Sequence, residues 1–215
     1  MINELSITFG GERMIVNHLK TVFIPKTKQL LVSDIHLGKL SHFRREGIGI
    51  PNALEEKNFE RLAQLIEHYN PKEVLILGDL FHSVYNSSWQ LFDQFCNNFD
   101  TISFVLIKGN HDIIKASHYE SISNLVVYNE WLNNGFLYTH EPLEIPTTPN
   151  ICGHIHPGIK IKAKSLPAIK APCFYLTENQ FILPAFGVFT GAMTLKSKEN
   201  DQVIAIIENE MVRLK

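Results

Sequence analysis

The stretch ISFVLIKGNHD, residues 102–112, decides the fold class. The apolar run Phe104–Ile107 gives way to a glycine and then to Asn110, His111 and Asp112. A short, continuous apolar run bounded by turn residues reads as a strand buried on both faces. Four other stretches repeat the pattern: LLVSDIH (30–36), VLILGDL (74–80), LYTH (137–140) and NICGHIH (150–156). Each passes from an apolar strand into a polar cluster. In open α/β sheets, ligands bind at the carboxyl ends of the strands. Five such ends are therefore expected to converge on one site.

Working outward, LSITF, RMIVN, TVFIP and QLLVSD read as short strands separated by Gly10-Gly11 and PKTK. The segment PNALEEKNFERLAQLIEHYNP (51–71) spaces Leu54, Phe59, Leu62, Leu65 and Ile66 as a helix, started at Pro51 and stopped at Asn70-Pro71. SSWQLFDQFCNNF (87–99) reads as a second helix capped by Ser87 or Ser88. FLYTH, NICGH, IKIKAK, CFYLT, QFILPAF, MTLKS and QVIAIIE then follow as strands. The first half alternates strand and helix, and the second half is mostly strand: an α/β chain.

No repeat or linker divides the sequence, so residues 1–215 are expected to form one domain. A net charge of −2 gives no global field for nucleic acid or membrane, and any polyanion must be held by a local patch. The start, MINELSITFGGER, lacks the apolar segment of a signal peptide, and no apolar run is long enough to span a bilayer. Three widely spaced cysteines, Cys96, Cys152 and Cys173, read as a reduced set. The expected location is the cytoplasm.

The polar clusters supply seven metal donors: Asp34, His36, Asp79, Asn110, His140, His154 and His156. Mixed carboxylate and imidazole suits manganese, iron or zinc, and the absence of thiolate argues against a structural zinc site. Seven donors exceed the needs of one ion, and a carboxylate such as Asp79 can bridge two. Two ions about 3.5–4 Å apart activate water and stabilise charge in an in-line phosphoryl displacement.

This ordered set, D-x-H … GD … GNHD … H … GH-x-H over residues 33–156, resembles the calcineurin-like metallophosphoesterases. The resemblance implies a sandwich of two mixed β-sheets flanked by helices. It implies that Asp34, His36, Asp79 and His156 hold a first metal, with Asp79 bridging, and that Asn110, His140 and His154 complete a second. His111 would face the scissile phosphate as acid or oxyanion stabiliser, and Asp112 would orient it. Manganese is the expected metal, with iron or zinc as alternatives. IHLGK, FRREGIGIP, GDLFHS and LPAFGVFTG further resemble the ligase-associated DNA damage response endonuclease branch, PdeM. That branch implies DNA as the phosphodiester substrate and a DNA ligase and a helicase as partners. Two positions depart from the broader superfamily: Glu141 follows His140 where glycine is commoner, and His82 stands where many members carry a carboxylate.

Basic residues flank the motifs. Lys39 and Arg44 lie in KLSHFRR, and Lys160 and Lys162 alternate after the last motif. They read either as a track for backbone phosphates or as a solvated loop and a lysine-protected edge strand. His82 reads either as a substrate contact or as a loop cap. Phe81 and Trp89 read as packing residues. Two rival functions remain: a small-molecule phosphodiesterase or phosphatase, and a scaffold that has lost its chemistry.

Overall fold

The computed structural model describes residues 1–39, 53–82, 87–162, 168–188 and 190–214. Among these, the first seven strands build one sheet in sequence order: β1 (Glu4–Phe9), β2 (Glu12–Asn17), β3 (Val22–Ile24), β4 (Gln29–Val32), β5 (Glu73–Leu77), β6 (Ser103–Ile107) and β7 (Leu125–Tyr128). Neighbours from β1 to β4 are antiparallel, whereas β4 through β7 are parallel. The parallel strands need crossovers. These are supplied by the helices α1 (Ala53–Tyr69), between β4 and β5, and α2 (Ser87–Asn98), between β5 and β6. A one-turn helix, α3 (Ala116–Tyr119), precedes β7.

The second sheet takes the rest of the chain: β8 (Trp131–Asn133), β9 (Phe136–Tyr138), β10 (Asn150–Cys152), β11 (Pro157–Ile161), β12 (Ile169–Leu176), β13 (Gln180–Ile182), β14 (Met193–Thr194), β15 (Gln202–Ile207) and β16 (Glu210–Arg213). Its main path runs β14-β11-β12-β13-β10-β9-β8, with β15 and β16 attached through β12. It is also mixed, since β10 is parallel to β9 and β13 while β12 is antiparallel to β13.

Period-two alternation assigns each apolar side chain to a layer. Leu30, Val32, Val74, Ile76, Phe104 and Leu106 face the helices, where they meet Leu62, Leu65 and Ile66 of α1 and Trp89, Phe92 and Phe95 of α2. Leu31, Leu75, Leu77, Val105 and Ile107 point the other way, against Phe136, Tyr138, Ile151, Phe174 and Phe181 of the second sheet. Continuous apolar runs in β4, β5 and β6 are therefore what a two-faced burial requires. The result is two mixed sheets packed as a sandwich with helices outside. The α1 helix stops where expected: Asn70 takes a left-handed φ of 45° and its N–H donates to the Ile66 carbonyl at 2.8 Å, with Pro71 next. Phe81 and Trp89 are core residues, with ring centroids 5.4 Å apart.

Phe104 carries the helix layer, since the rings of Phe92 and Phe95 both pack on it, at 6.4 and 6.1 Å. Phe104→Ala is expected to destabilise the protein by about 3–5 kcal/mol in urea unfolding. A loss under about 1 kcal/mol would contradict this packing.

Candidate metal centre

The strand ends form the site because their loops stay paired beyond the sheet. After β4 and β5, the Asp34 N–H donates to the Gly78 carbonyl at 3.1 Å, His36 N–H to the Asp79 carbonyl at 2.9 Å, and Leu37 N–H to the Leu80 carbonyl at 2.8 Å. The chain there is bent sharply. Asp34, His36, Asp79, His154 and His156 all have positive φ, between 49° and 65°. That region costs an L-residue about 1–2 kcal/mol. Five donor side chains in this conformation mark a site held in place by its surroundings. Gly78, with φ 78°, precedes Asp79, and a Cβ there would overlap the His140 ring.

Two groups of side chains result, Asp34–His36–His156 and Asp79–His140–His154, and within each group one donor atom per residue lies within 4.8 Å of the others. In the first, His156 Nε2 is 3.2 Å from Asp34 Oδ1 and 3.4 Å from His36 Nε2. In the second, His140 Nε2 is 3.1 Å from His154 Nδ1 and 3.4 Å from Asp79 Oδ1. Asn110 joins the second group, with its Oδ1 3.1 Å from His140 Nε2. Asp79 spans both, because its Oδ2 lies 3.8 Å from His36 Nε2.

This arrangement fits a cation. His140 Nδ1 lies 2.9 Å from the Leu77 carbonyl, which places the ring proton on Nδ1. Its Nε2 lone pair then faces the buried Asp79 carboxylate, the half-buried His154 ring and the exposed Asn110 amide oxygen. A carboxylate and a ring lone pair brought together in this way repel unless a proton or a metal ion lies between them. The charge distribution agrees. Burial opposes a charge on His140, but its contacts with Asp79 and the Leu77 carbonyl, and the charges of Asp34 and Asp79, raise its pKa to about 9. Burial works against ionisation of Asp79 too, yet hydrogen bonds from His140 and the His111 N–H lower its pKa to about 2. At His36 burial prevails over both carboxylates and lowers the pKa to about 4, leaving a neutral imidazole able to ligate.

His111 is half-buried beside Asp79 and His36. Its backbone N–H donates to Asp79 Oδ1 at 2.9 Å, and its Nδ1 lies 3.2 Å from the His82 carbonyl. The His82 and His111 rings stack at 5.2 Å and 17°, and both approach the His36 ring. The fully buried carboxylate of Asp112 accepts from the backbone N–H of Phe81 at 3.0 Å and of Gly109 at 2.9 Å, and the His111 ring meets the His82 carbonyl through its Nδ1. A carboxylate in a turn satisfies nearby N–H groups before it reaches a side chain. Asp112 thus ties the GNHD turn to the GDL loop. Burial raises its pKa to about 6 despite these hydrogen bonds.

Of the basic residues, Lys39 follows the first motif closely enough for its charge to help lower the His36 pKa. Lys160 and Lys162 are exposed on and beside β11. Arg44 lies outside the described residues. Cys152, beside the last motif, is buried among Cys173, Tyr175 and Val203, and burial pushes its thiol pKa far up.

The model of the calcineurin-like phosphoesterase family matches residues 27–169. The chain belongs to the calcineurin-like phosphoesterase family. It is a metal-dependent phosphoesterase, and its two mixed sheets have that family's fold. Among solved structures it is similar to the Pseudomonas putida nuclease MPE, at 25% identity and a TM-score of 0.84, covering 99% of this chain and 100% of that one. Yfce, a phosphoesterase from E. coli, aligns over 86% of this chain and 96% of its own, at 14% identity and a TM-score of 0.45. No curated protein matches the sequence. The family's divalent ions would be held by the two groups around Asp79.

Two outcomes follow from this geometry. A histidine whose folded pKa is raised contributes stability that is complete below its unfolded value and is lost as pH rises through the folded one. In chelator, the melting temperature is therefore expected to fall between pH 6.5 and 8, where the unfolded chain gives up this proton while folded His140 keeps it, below the pH of about 8 at which the depressed Lys20 begins to act the other way. Saturating divalent cation replaces that proton and should flatten the fall; an equal fall with cation present would count against the site. Asp112→Asn turns an amide toward one of two buried backbone N–H groups and is expected to cost about 1–3 kcal/mol in urea unfolding. An unchanged midpoint would return Asp112 to a purely catalytic role.

Proposed function

We propose that the chain is a two-metal phosphodiesterase acting on DNA, and the observation that carries this reading is Asp79 facing both donor groups at once. Asp34, His36, Asp79 and His156 hold one ion, and Asp79, Asn110, His140 and His154 hold the other; manganese is the expected metal. When bound, two such ions supply Lewis acidity to a phosphoryl oxygen and acidify water for in-line attack. The chain's own residues do the rest. The His82 carbonyl fixes a proton on His111 Nδ1, which leaves Nε2 as the ring atom that meets the substrate. That group stabilises charge on the phosphoryl oxygens or protonates the leaving oxygen. The stacked His82 ring limits rotation of His111. Lys39, Arg44, His82, Lys160 and Lys162 are the candidate substrate contacts.

The likeness to a nuclease along the full length of both chains supports a nucleic-acid substrate. With the PdeM-like flanking motifs it supports a role in ligase-associated DNA repair, with a ligase and a helicase as partners, in the cytoplasm. Residues 1–215 act as one domain in this reading.

The test is cleavage with manganese of bis-p-nitrophenyl phosphate, single-stranded DNA and duplex DNA, side by side. Cleavage of DNA is expected, with a loss of about 10²-fold or more in His111→Ala and Asn110→Ala. Hydrolysis of the small diester with both DNAs untouched would move the substrate to a small phosphodiester. Absence of all three activities would leave a scaffold.

A further inference from the structure

We propose that a basic cleft on the His156 side of the metal centre binds a backbone phosphate next to the scissile one, so that the enzyme selects a polynucleotide over an isolated phosphodiester. This deepens the phosphodiesterase reading above and rests on it. The cleft has a volume of about 230 Å³ and is lined by His156, Lys20, Lys170, Pro172, Ala185 and Thr190, among others. His156 belongs to both places, since its Nε2 faces Asp34 at 3.2 Å while its ring forms part of the cleft wall. No carboxylate is among the described lining residues. Among the described residues neither lysine has an ion-pair partner. Two uncompensated ammonium groups beside a phosphate-cleaving centre form an anion site.

Lys20 is placed there against its backbone preference. It occupies the turn between β2 and β3 with a φ of 69°, where glycine would sit with less strain, and its N–H donates to the Asn17 carbonyl at 3.0 Å. Arg61 of α1 braces that turn. Its guanidinium donates to the Leu19 carbonyl at 2.8 Å and the Phe186 carbonyl at 3.1 Å, and lies 4.3 Å over the Phe186 ring. The Phe186 and Gly187 N–H groups donate in turn to the Ser33 and Asp34 carbonyls, at 2.8 and 3.1 Å. Lys20 is therefore fixed, through Arg61 and this loop, to the backbone that carries a metal ligand. Burial, followed by the nearby Arg61 charge, lowers the Lys20 pKa to about 8, and a bound anion would reverse that.

Lys170 adds a second, independent sign. On β12 it lies directly opposite Lys160 of β11, so the two project from one face of the sheet. Like charges directly opposite are destabilising, and this pair occurs in a chain whose net charge is −2. Lys162 follows two residues on. The cleft thus opens onto a row of cations, which fits successive phosphates of one strand.

Lys20→Gly, Lys170→Ser and the double variant test the proposal. Binding of a labelled single-stranded oligonucleotide is followed in chelator across a salt series, and hydrolysis of the oligonucleotide and of bis-p-nitrophenyl phosphate is measured with manganese. The double variant is expected to bind about tenfold more weakly, with the salt slope reduced by roughly 0.7 per lysine removed. Its kcat/KM for the oligonucleotide relative to the small diester should fall by a similar factor. Lys20→Gly should melt at or above the wild-type temperature, because it relieves the turn. Unchanged affinity and slope, or equal losses on both substrates, would overturn the cleft and leave the phosphodiesterase reading intact. Weakened binding in the variants, with no hydrolysis by the wild type, would overturn that reading and leave the cleft standing.

Discussion

The centre depends on one carboxylate, that of Asp79. Its two oxygens face different histidines, His36 on one side and His140 on the other, and Oδ1 also accepts the His111 N–H. Every other part of the site is placed relative to it. His36 reaches it because the β4 and β5 loops remain hydrogen-bonded past the sheet, and His140 because Gly78 leaves room for its ring. Asp112 clamps the turn that delivers Asn110 and His111. A cation between the two groups satisfies the carboxylates and ring nitrogens gathered around Asp79.

The sheet makes this convergence possible. β4, β5 and β6 are parallel neighbours, so their carboxyl ends emerge along one edge. β9 and β10 are likewise parallel to each other and pack against them through Phe136, Tyr138 and Ile151. Candidate metal donors from both sheets meet where those ends adjoin. The left-handed backbone at five donors is the local cost, and burial of both faces of β4 to β6 is what holds it.

Much of this was legible in the sequence, because apolar runs ending in polar clusters report both the strand and the site. The helices 53–69 and 87–98 and the strands bearing ligands matched their periodicity. Among the described residues, three strands and a helix were not legible. LVVY (125–128) and WLN (131–133) are too short and irregular for a period to register, EMVR (210–213) reads as a polar terminus, and ASHY (116–119) is one turn long. The candidate donors could be picked out because carboxylate and imidazole in ordered motifs have few other uses, and the fold brings them together. The backbone contacts of Asp112 could not, because which N–H its carboxylate meets depends on the path of two loops distant in sequence. Lys20 was missed for the same reason: nothing in NHLKT signals that its turn lies beside GHIHPG.

The most direct test of the central claim is anomalous scattering from crystals soaked in manganese. The account predicts two peaks, one on each side of Asp79, the first among Asp34, His36 and His156 and the second among Asn110, His140 and His154. A single peak, or none near Asp79, would contradict it.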